Sequence, residues 1–311
     1  REGYKMKIMV FDVGGTEIKY SVMDEQMHRT NSGAVPTPQD TQAQFLDAVY
    51  RLYAPHKDEV SGIAMALPGF VDNRTGYVSN GGALLYNTAT PVGQLLAEKC
   101  GCPVILENDG KAAAMAELAN GALKDCCNAA VFIIGTGVGG GIIANGQLVR
   151  GVHFTAGEYS FVNTNAEAWD APDQNMACQC STSNLLKWYR ARKALPEDAP
   201  LDGRSFFAAA NAGEPEALEV LRRFCHAVAV QIYNLTVLLD VEKVAIGGGI
   251  SKQPLLLESL RSAYDGLYAS RAGQAYMEGL PRCQIVPCAF SSEANQVGVA
   301  AAYFEAMQKK C

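Results

Sequence analysis

The chain has 311 residues, of which 49% are hydrophobic and 19% charged, so it can bury an ample core as one large domain or two of ordinary size. Its formal net charge of −6 argues against a nucleic-acid-binding protein, which normally carries a basic surface. Apolar runs stay short of the ~20 residues that span a bilayer, so we expect neither a membrane segment nor a signal peptide.

The ten cysteines and four histidines follow no recognisable metal-binding or disulfide pattern. Cys126 and Cys127 are adjacent, and Cys100 and Cys102 are one residue apart. Neither spacing suits a disulfide framework in a chain of this size. We therefore expect reduced thiols and a cytoplasmic protein.

The first predicted element is a β-hairpin over Ile8–Met23, with Gly14, Gly15 and Thr16 at its turn. Glycine leaves backbone N–H groups accessible, so this turn can hold a phosphate, to which the Thr16 hydroxyl adds a donor. Asp12 stands where it can hold a hydrated Mg²⁺. Taken alone, the same residues are equally typical of an ordinary glycine hairpin.

The next predicted elements lead to a proline–glycine turn. A helix is expected over Thr41–Tyr53, whose first residue is a cap candidate, and a buried strand over Val60–Leu67. Gly69 and the proline before it close that strand. A second helix is expected over Pro91–Cys100, with proline in its first turn.

Polar residues end the following strand, predicted over Pro103–Glu107, and an alanine-rich helix is expected over Lys111–Ala122. Open α/β sheets bind ligands at the carboxyl ends of their strands. Asp109 is therefore a candidate general base and Asn108 a candidate hydrogen-bonding partner. The alternative is that these two residues only cap the helix.

A second copy of the strand–turn–strand pattern begins at Ala130. An apolar strand enters a turn of Gly135, Thr136 and Gly137, and another apolar strand, Gly141–Ala144, leaves it. Repetition of this unit suggests duplicated halves, each with a phosphate-binding hairpin. Two such turns facing each other would hold the phosphates of one nucleotide, which is far more specific than a single glycine-rich turn.

The second half of the chain adds a carboxylate and another glycine-rich turn. Glu158 lies among apolar residues, and its carboxylate could accept hydrogen bonds from the hydroxyls of a polyol. The turn Gly247, Gly248 and Gly249 follows a predicted strand and could pack against the flat ring of an adenosine. Further helices are expected over Asn184–Leu195, Ser205–Ala212, Glu214–Leu239, Pro254–Tyr264 and Ser291–Met307. Further strands are expected over Val241–Ile246 and Cys283–Pro287.

These segments together resemble the ROK family of sugar kinases and repressors, in that family's order and over nearly the whole chain. The likeness is carried by DVGGT at Asp12–Thr16, ALPG at Ala66–Gly69, ENDG at Glu107–Gly110, IGTGVGGGI at Ile134–Ile142, AGE at Ala156–Glu158 and IGGGIS at Ile246–Ser251.

The resemblance implies an α/β fold of two actin/hexokinase-like (ribonuclease H-like) domains with a central cleft. We expect a smaller domain over residues 1–107 together with a C-terminal helix at 296–311, and a larger domain over residues 108–295. A homodimer is also implied.

A role for each motif follows from the same resemblance. Asp109 would be the catalytic base, with Asn108, Glu158 and Gly69 at the sugar. ATP would be the phosphoryl donor, with Mg²⁺ held near Asp12 through water. The turns expected to hold ATP contain Gly14, Gly15, Thr16, Gly135, Thr136, Gly137, Gly247, Gly248 and Gly249.

The chain also departs from the family pattern. Many members carry a histidine after the AGE glutamate and a downstream cysteine cluster that bind zinc, whereas this chain has Phe161 at the histidine position and only Cys178 and Cys180. Zinc normally takes four ligands, so we expect no zinc site. Glu17 stands where members often have lysine. The pattern is similar to a zinc-free branch associated with β-glucoside and N-acetylmannosamine kinases.

The expected reaction is therefore transfer of the ATP γ-phosphoryl group to a hexose hydroxyl, O6, of glucose, a β-glucoside or N-acetylmannosamine. One alternative is a sugar-responsive regulator; such members add an N-terminal helix-turn-helix segment, and here the first strand begins within ten residues of the start. The other is an actin-like ATPase that acts on no sugar.

Overall fold

A computed structural model describes residues 6–308, in which the predicted strands and helices occur in the predicted order, together with further elements that were not predicted. The strands are β1 Lys7–Val13, β2 Glu17–Asp24, β3 Arg29–Pro36, β4 Ile63–Leu67, β5 Phe70–Asp72, β6 Tyr77–Asn80, β7 Val104–Asn108, β8 Ala129–Ile134, β9 Val138–Ala144, β10 Gln147–Val149, β11 Lys243–Gly247 and β12 Gln284–Pro287. The helices are α1 Gln42–Tyr53, α2 Val92–Cys100, α3 Asp109–Asn120, α4 Met176–Gln179, α5 Thr182–Arg192, α6 Gly203–Asn211, α7 Pro215–Leu239, α8 Pro254–Ala269 and α9 Ala294–Gln308.

The described residues divide into two units. The first contains residues 6–120, 150–156 and 292–308, and the second contains residues 121–149 and 157–291. The domain bounds expected from the sequence stay a prediction; in these units, α3 belongs to the first.

In the first unit, five strands form a sheet in the order β3-β2-β1-β4-β7. Strand β1 is antiparallel to β2 and parallel to β4, which is parallel to β7. Alternate residues of β1 face opposite sides of this sheet. Met9 and Phe11 pack with Phe45 of α1 and Leu96 of α2 in one apolar core. Helix α1 begins where predicted, since Thr41 and Gln44 form a capping box.

Close packing of two helices supports the other face of this unit. Gly298 of α9 lies against the Ala112 backbone of α3, so near that a Cβ at position 298 would overlap the Ala112 carbonyl oxygen. A Cβ at Gly62, just before β4, would likewise overlap the Tyr303 hydroxyl of α9. Small residues at these contacts fix how α3, whose first residue is Asp109, sits on the sheet.

The second unit repeats this sheet order as β10-β9-β8-β11-β12. Strand β8 is antiparallel to β9 and parallel to β11, which is parallel to β12. Its core includes Phe132 and Ile246 from the sheet, Phe224 of α7 and Leu260 of α8. The same hairpin-then-parallel order in both sheets is what the repeated strand–turn–strand pattern predicts.

Helix composition and cysteine pairing are two further features of the described residues. None of the helices in residues 6–308 combines the length and apolar character needed to cross a bilayer. The cysteines of residues 6–308 form no disulfide bonds in the structure.

Candidate active site

The first glycine turn is held from one side by the segment that follows β3. Thr37 donates its hydroxyl to the Gly14 carbonyl (2.8 Å), and Gln39 donates its Nε2 to the Gly15 carbonyl (2.7 Å). In a trans peptide, the C=O of one residue and the N–H of the next point in opposite directions. The N–H groups of Gly15 and Thr16 are therefore directed away from Thr37 and Gln39, as a phosphate-binding turn requires.

Asp12 ends β1 beside this turn and is nearly buried, with 9% of its surface exposed. The Asn295 side chain, at the start of α9, donates Nδ2 to Asp12 Oδ1 at 2.9 Å. Burial raises the pKa of Asp12, while the Asn295 hydrogen bond and the positive charge of Lys19 oppose the rise. A buried carboxylate with so few partners is costly, which is common for groups held ready for a ligand.

Three adjacent parallel strands bring the predicted first-unit residues to one sheet edge. Asp12 pairs with Ala66 on β4, and Leu67 pairs with Asn108 on β7. Since neighbouring strands lie ~4.8 Å apart, Asp12 and Asn108 are roughly 10 Å apart. Gly69 follows β4 at the same edge, with a φ of +95° and no room for a Cβ beside the Asn80 carbonyl.

The Asn108 amide is built into this edge by two hydrogen bonds. Its Nδ2 donates to the Gly69 carbonyl (2.9 Å), and its Oδ1 accepts the Lys111 N–H (3.0 Å), which caps α3. The helix-cap alternative is thus confirmed for Asn108. An amide has a second Nδ2 hydrogen and a second lone pair, so the cap leaves capacity for a ligand.

Asp109 begins α3, and its Oδ1 accepts the N–H of Gly110 at 2.7 Å. The side chain is only partly buried. Its position at the N-terminus of α3 lets the backbone N–H groups of the first turn interact favourably with a negative charge.

Hydrogen bonds hold both ends of the second glycine turn, which lies between β8 and β9. Thr182, the first residue of α5, donates its N–H to the Gly135 carbonyl at 2.8 Å. Ser160 Oγ accepts the Val138 N–H (3.0 Å), and a Cβ at Gly137 would crowd that hydroxyl. Thr136, between these anchors, is exposed at the tip.

The third glycine turn lies next to the second within the same unit. Gly247 pairs with Ile133 across parallel strands β11 and β8. Gly248 has a φ of +96°, and a Cβ there would overlap the Ile134 carbonyl. Only glycine fits at position 248. The strand pairing and this close approach place the turn Gly247, Gly248 and Gly249 directly beside the turn Gly135, Thr136 and Gly137.

Glu158 is positioned by the tyrosine that follows it. Tyr159 is buried, donates its hydroxyl to the Gly141 carbonyl (3.0 Å) and packs edge-on against Phe132, with ring centroids 4.5 Å apart. Gly157 precedes Glu158 with a φ of +78°. The Glu158 side chain is partly buried.

The region of the family's zinc cluster is held here by side-chain amides. Asn175 caps α4 by accepting the Cys178 N–H (3.0 Å) and donates to the Pro172 carbonyl (3.0 Å). Gln179 donates to the Asp173 carbonyl at 2.8 Å. Burial raises the pKa of the Cys180 thiol to about 12, which disfavours the thiolate that zinc needs.

Two side chains that support these candidates carry no recognisable sequence signal. Asn295 lies 283 residues from Asp12 along the chain. Arg150 forms an ion pair with Glu107 at 2.8 Å, 43 residues away. Glu107 itself belongs to the ENDG segment, but nothing in that motif indicates which cation would meet it.

Comparison with known proteins shows the family of this chain. The model of the ROK family matches residues 8–308. A β-glucoside kinase of Listeria innocua is 31% identical over 258 residues, covering 82% of this chain and 87% of that protein. An N-acetyl-D-glucosamine kinase of Vibrio atlanticus is 30% identical over 277 residues, covering 80% and 86%.

A solved structure of a ROK family protein has a similar fold. The ROK family glucokinase of Streptomyces griseus, in complex with glucose and AMPPNP, superposes with a TM-score of 0.78 at 25% identity, covering 95% of this chain and 98% of that one. Because the family match extends over nearly all of the described residues, this chain belongs to the ROK family.

Proposed function

We propose that this protein is an ATP-dependent sugar kinase, which transfers the γ-phosphoryl group of ATP to a hydroxyl, O6, of a hexose or hexose derivative. The observation that carries the proposal is the shared sheet edge. There Asp12 and its glycine turn stand roughly two strands from Asn108 and Asp109. The kinase names of relatives at about 30% identity support the same reaction class.

In the proposed reaction, the sugar hydroxyl attacks the γ-phosphorus of ATP. A bond forms between that oxygen and phosphorus, the bond from phosphorus to the β,γ-bridging oxygen breaks, and ADP leaves. Asp109 accepts the hydroxyl proton as general base. Asn108 and Glu158 hold neighbouring sugar hydroxyls, and Gly69 lets the backbone approach the ring.

The residues at Asp12 fit a hydrated Mg²⁺ carried by the nucleotide. Mg²⁺ commonly keeps several waters and is held by one or two carboxylates together with substrate phosphates. Within residues 6–308, no group of three or more His, Cys, Asp or Glu side chains could bind a metal by itself. Asp12 would therefore hold the ion through water, and the ion would neutralise phosphate charge.

The nucleotide itself would lie on the glycine turns. Backbone N–H groups of Gly15 and Thr16, and those of the turn around Thr136, would donate to phosphate oxygens. The adjacent turn around Gly248 would receive the adenosine. The streptomycete relative was solved with AMPPNP, an ATP analogue, which supports ATP as the donor.

The substrate class is a glucose-like sugar. The relatives named above act on β-glucosides and N-acetyl-D-glucosamine, and one was solved with glucose. Phe161 occupies the position of the family histidine and is 71% exposed. Because the chain departs from the family pattern at this position, the identity of the sugar has to be measured. The homodimer implied by the resemblance stays a prediction.

A coupled assay of ADP release over a panel of sugars tests this proposal. Glucose, N-acetylmannosamine, N-acetylglucosamine and cellobiose are each added to the protein with ATP and Mg²⁺. We expect at least one to raise ADP release far above the rate without sugar. Release that no sugar stimulates would favour an actin-like ATPase, and sugar binding without ADP release would favour a regulator.

A further inference from the structure

The buried carboxylate of Glu107 lies directly before the two residues proposed to meet the sugar. It occupies the next-to-last position of β7, and its side chain is 1% exposed. Burial raises the pKa of Glu107, and the Arg150 guanidinium opposes that rise. Such a group is costly to bury, so its partners are the reason that it can remain there.

Those partners tie Glu107 to its own strand end and to a distant segment. Glu107 Oε1 accepts the backbone N–H of Asn108 at 3.1 Å. Glu107 Oε2 accepts both Nε and Nη2 of Arg150, each at 2.8 Å. One carboxylate therefore holds the Asn108 backbone with one oxygen and the guanidinium with the other.

Arg150 contacts both sides of the junction between β7 and α3. Besides pairing with Glu107 on the strand, its Nη2 approaches the Met115 sulfur of α3 at 3.4 Å. Its backbone carbonyl accepts the N–H of Ala156 at 3.2 Å, which closes a loop two residues before Glu158. Arg150 thus joins the strand and the helix through its guanidinium, and closes this loop through its backbone carbonyl.

We propose that Arg150 is a positioning residue, which through Glu107 fixes the strand-to-helix junction that presents Asn108 and Asp109. Charge-assisted hydrogen bonds from a planar guanidinium are directional, so they define the geometry of the junction as well as stabilise it. A displacement of about 1 Å at reacting groups can cost 10²-fold in rate. This inference deepens the proposed kinase function and rests on it.

Steady-state kinetics of Arg150→Met test the proposal, with protein concentration corrected for the folded fraction measured by thermal unfolding. We expect kcat to fall at least about tenfold and the KM for sugar to rise, since both reacting groups follow the junction. The KM for ATP stays within about twofold, because the glycine turns are untouched. A purely structural pair would lower only the melting temperature.

Two variants of the pair and one control complete the experiment. Arg150→Lys keeps the positive charge but loses the planar pair of donors, so it should recover only part of the lost kcat. If Arg150→Met does not fold, Glu107→Gln replaces it, because a glutamine of the same size still accepts the Asn108 N–H and loses the charge pair. Arg192→Met breaks the exposed pair of Arg192 with Glu219 (2.9 Å) and should leave all constants unchanged.

Wild-type kcat per folded molecule in Arg150→Met, or in Glu107→Gln where Arg150→Met does not fold, would overturn the positioning role and leave the kinase function intact. A wild-type protein that phosphorylates no sugar would instead overturn the proposed function, and the positioning role with it.

Discussion

Asp12 is a residue at which stability and function are in conflict. Burial raises its pKa above the value in the unfolded chain, so the folded state binds its proton more tightly. The stability linked to this group is therefore greatest at acid pH and is lost as the pH rises through the folded pKa. At neutral pH the ionised carboxylate destabilises the fold.

Asp12→Asn should therefore raise the melting temperature at pH 7 and lower sugar-dependent phosphoryl transfer at least about 100-fold, because the carboxylate proposed to hold the nucleotide's Mg²⁺ is lost. The gain in stability should shrink as the pH falls, since Asp12 is then protonated in the wild type. Thermal unfolding from pH 4 to 8 and initial rates at pH 7 measure both effects.

Asp24→Asn is the control, for which the expected change in melting temperature at pH 7 has the opposite sign. Burial acts to raise the pKa of Asp24, but hydrogen bonds from His28 and Gln26 outweigh it and lower the pKa overall. Its contribution to stability is present at neutral pH and lost as the pH falls, so this replacement should lower the melting temperature at pH 7 and leave activity unchanged. If Asp12→Asn lowers the melting temperature as well, the stated conflict at Asp12 is wrong.

For individual residues, the sequence motifs indicated which side chains take part in the chemistry, but not which other residues position them. ENDG marked Asn108 and Asp109 because open α/β sheets bind ligands at the carboxyl ends of their strands. Asn295 and Arg150 reach their partners only through tertiary folding, so no local pattern could predict those contacts. For Asn108 the sequence offered a helix cap and a sugar ligand as alternatives; the structure shows the cap, and the amide keeps capacity for a ligand.

Among the elements, the contact between α3 and α9 determines where Asp109 stands. Gly298→Ala should destabilise the protein by about 1–3 kcal/mol, because the added methyl group meets the Ala112 backbone, which cannot rotate away. Activity should fall as well, since α3 would shift. Chemical denaturation and initial rates measure the two effects.

Gly266→Ala is the matched control within another helix. Gly266 of α8 is exposed, and a Cβ there meets nothing within 4 Å. The intrinsic helix preference of alanine should then stabilise the protein by up to about 1 kcal/mol without changing activity. Equal behaviour of both variants would show that the contact with Ala112 is not tight.

Amide hydrogen bonds around α4 should make this region independent of zinc. Asn175→Ala removes both the cap of α4 and the bond to Pro172, so we expect a loss of about 1–2 kcal/mol. A zinc chelator should leave the wild-type melting temperature unchanged. The control Asn211→Ala, at an exposed helix end, should have little effect.

Stoichiometric zinc in the purified protein, or a chelator-induced drop in melting temperature, would contradict that account.

Most helices were predictable within a few residues, because caps such as Thr41 and prolines such as Pro215 mark where they begin. The short elements β5, β6, β10 and α4 were not predicted, since three or four residues carry too little periodicity.

For the whole molecule, the informative signal was repetition. Two strand–turn–strand segments predicted duplicated halves, and both five-stranded sheets share one order. Hydrophobic alternation indicates which residues are strands, but not which strands pair, because pairing joins residues far apart in the chain. The parallel contacts of β1 with β4 and of β8 with β11 therefore had to come from the structure.

Product analysis tests the central claim most directly. ATP, Mg²⁺ and the best sugar of the panel are incubated with wild-type protein and with Asp109→Asn, and the products are identified by ³¹P NMR and mass spectrometry. We predict equal amounts of ADP and a sugar 6-phosphate, a rate 10²–10⁴-fold lower for Asp109→Asn, and similar ATP affinity for both proteins. Inorganic phosphate in place of a phosphorylated sugar, or wild-type turnover by Asp109→Asn, would contradict the account.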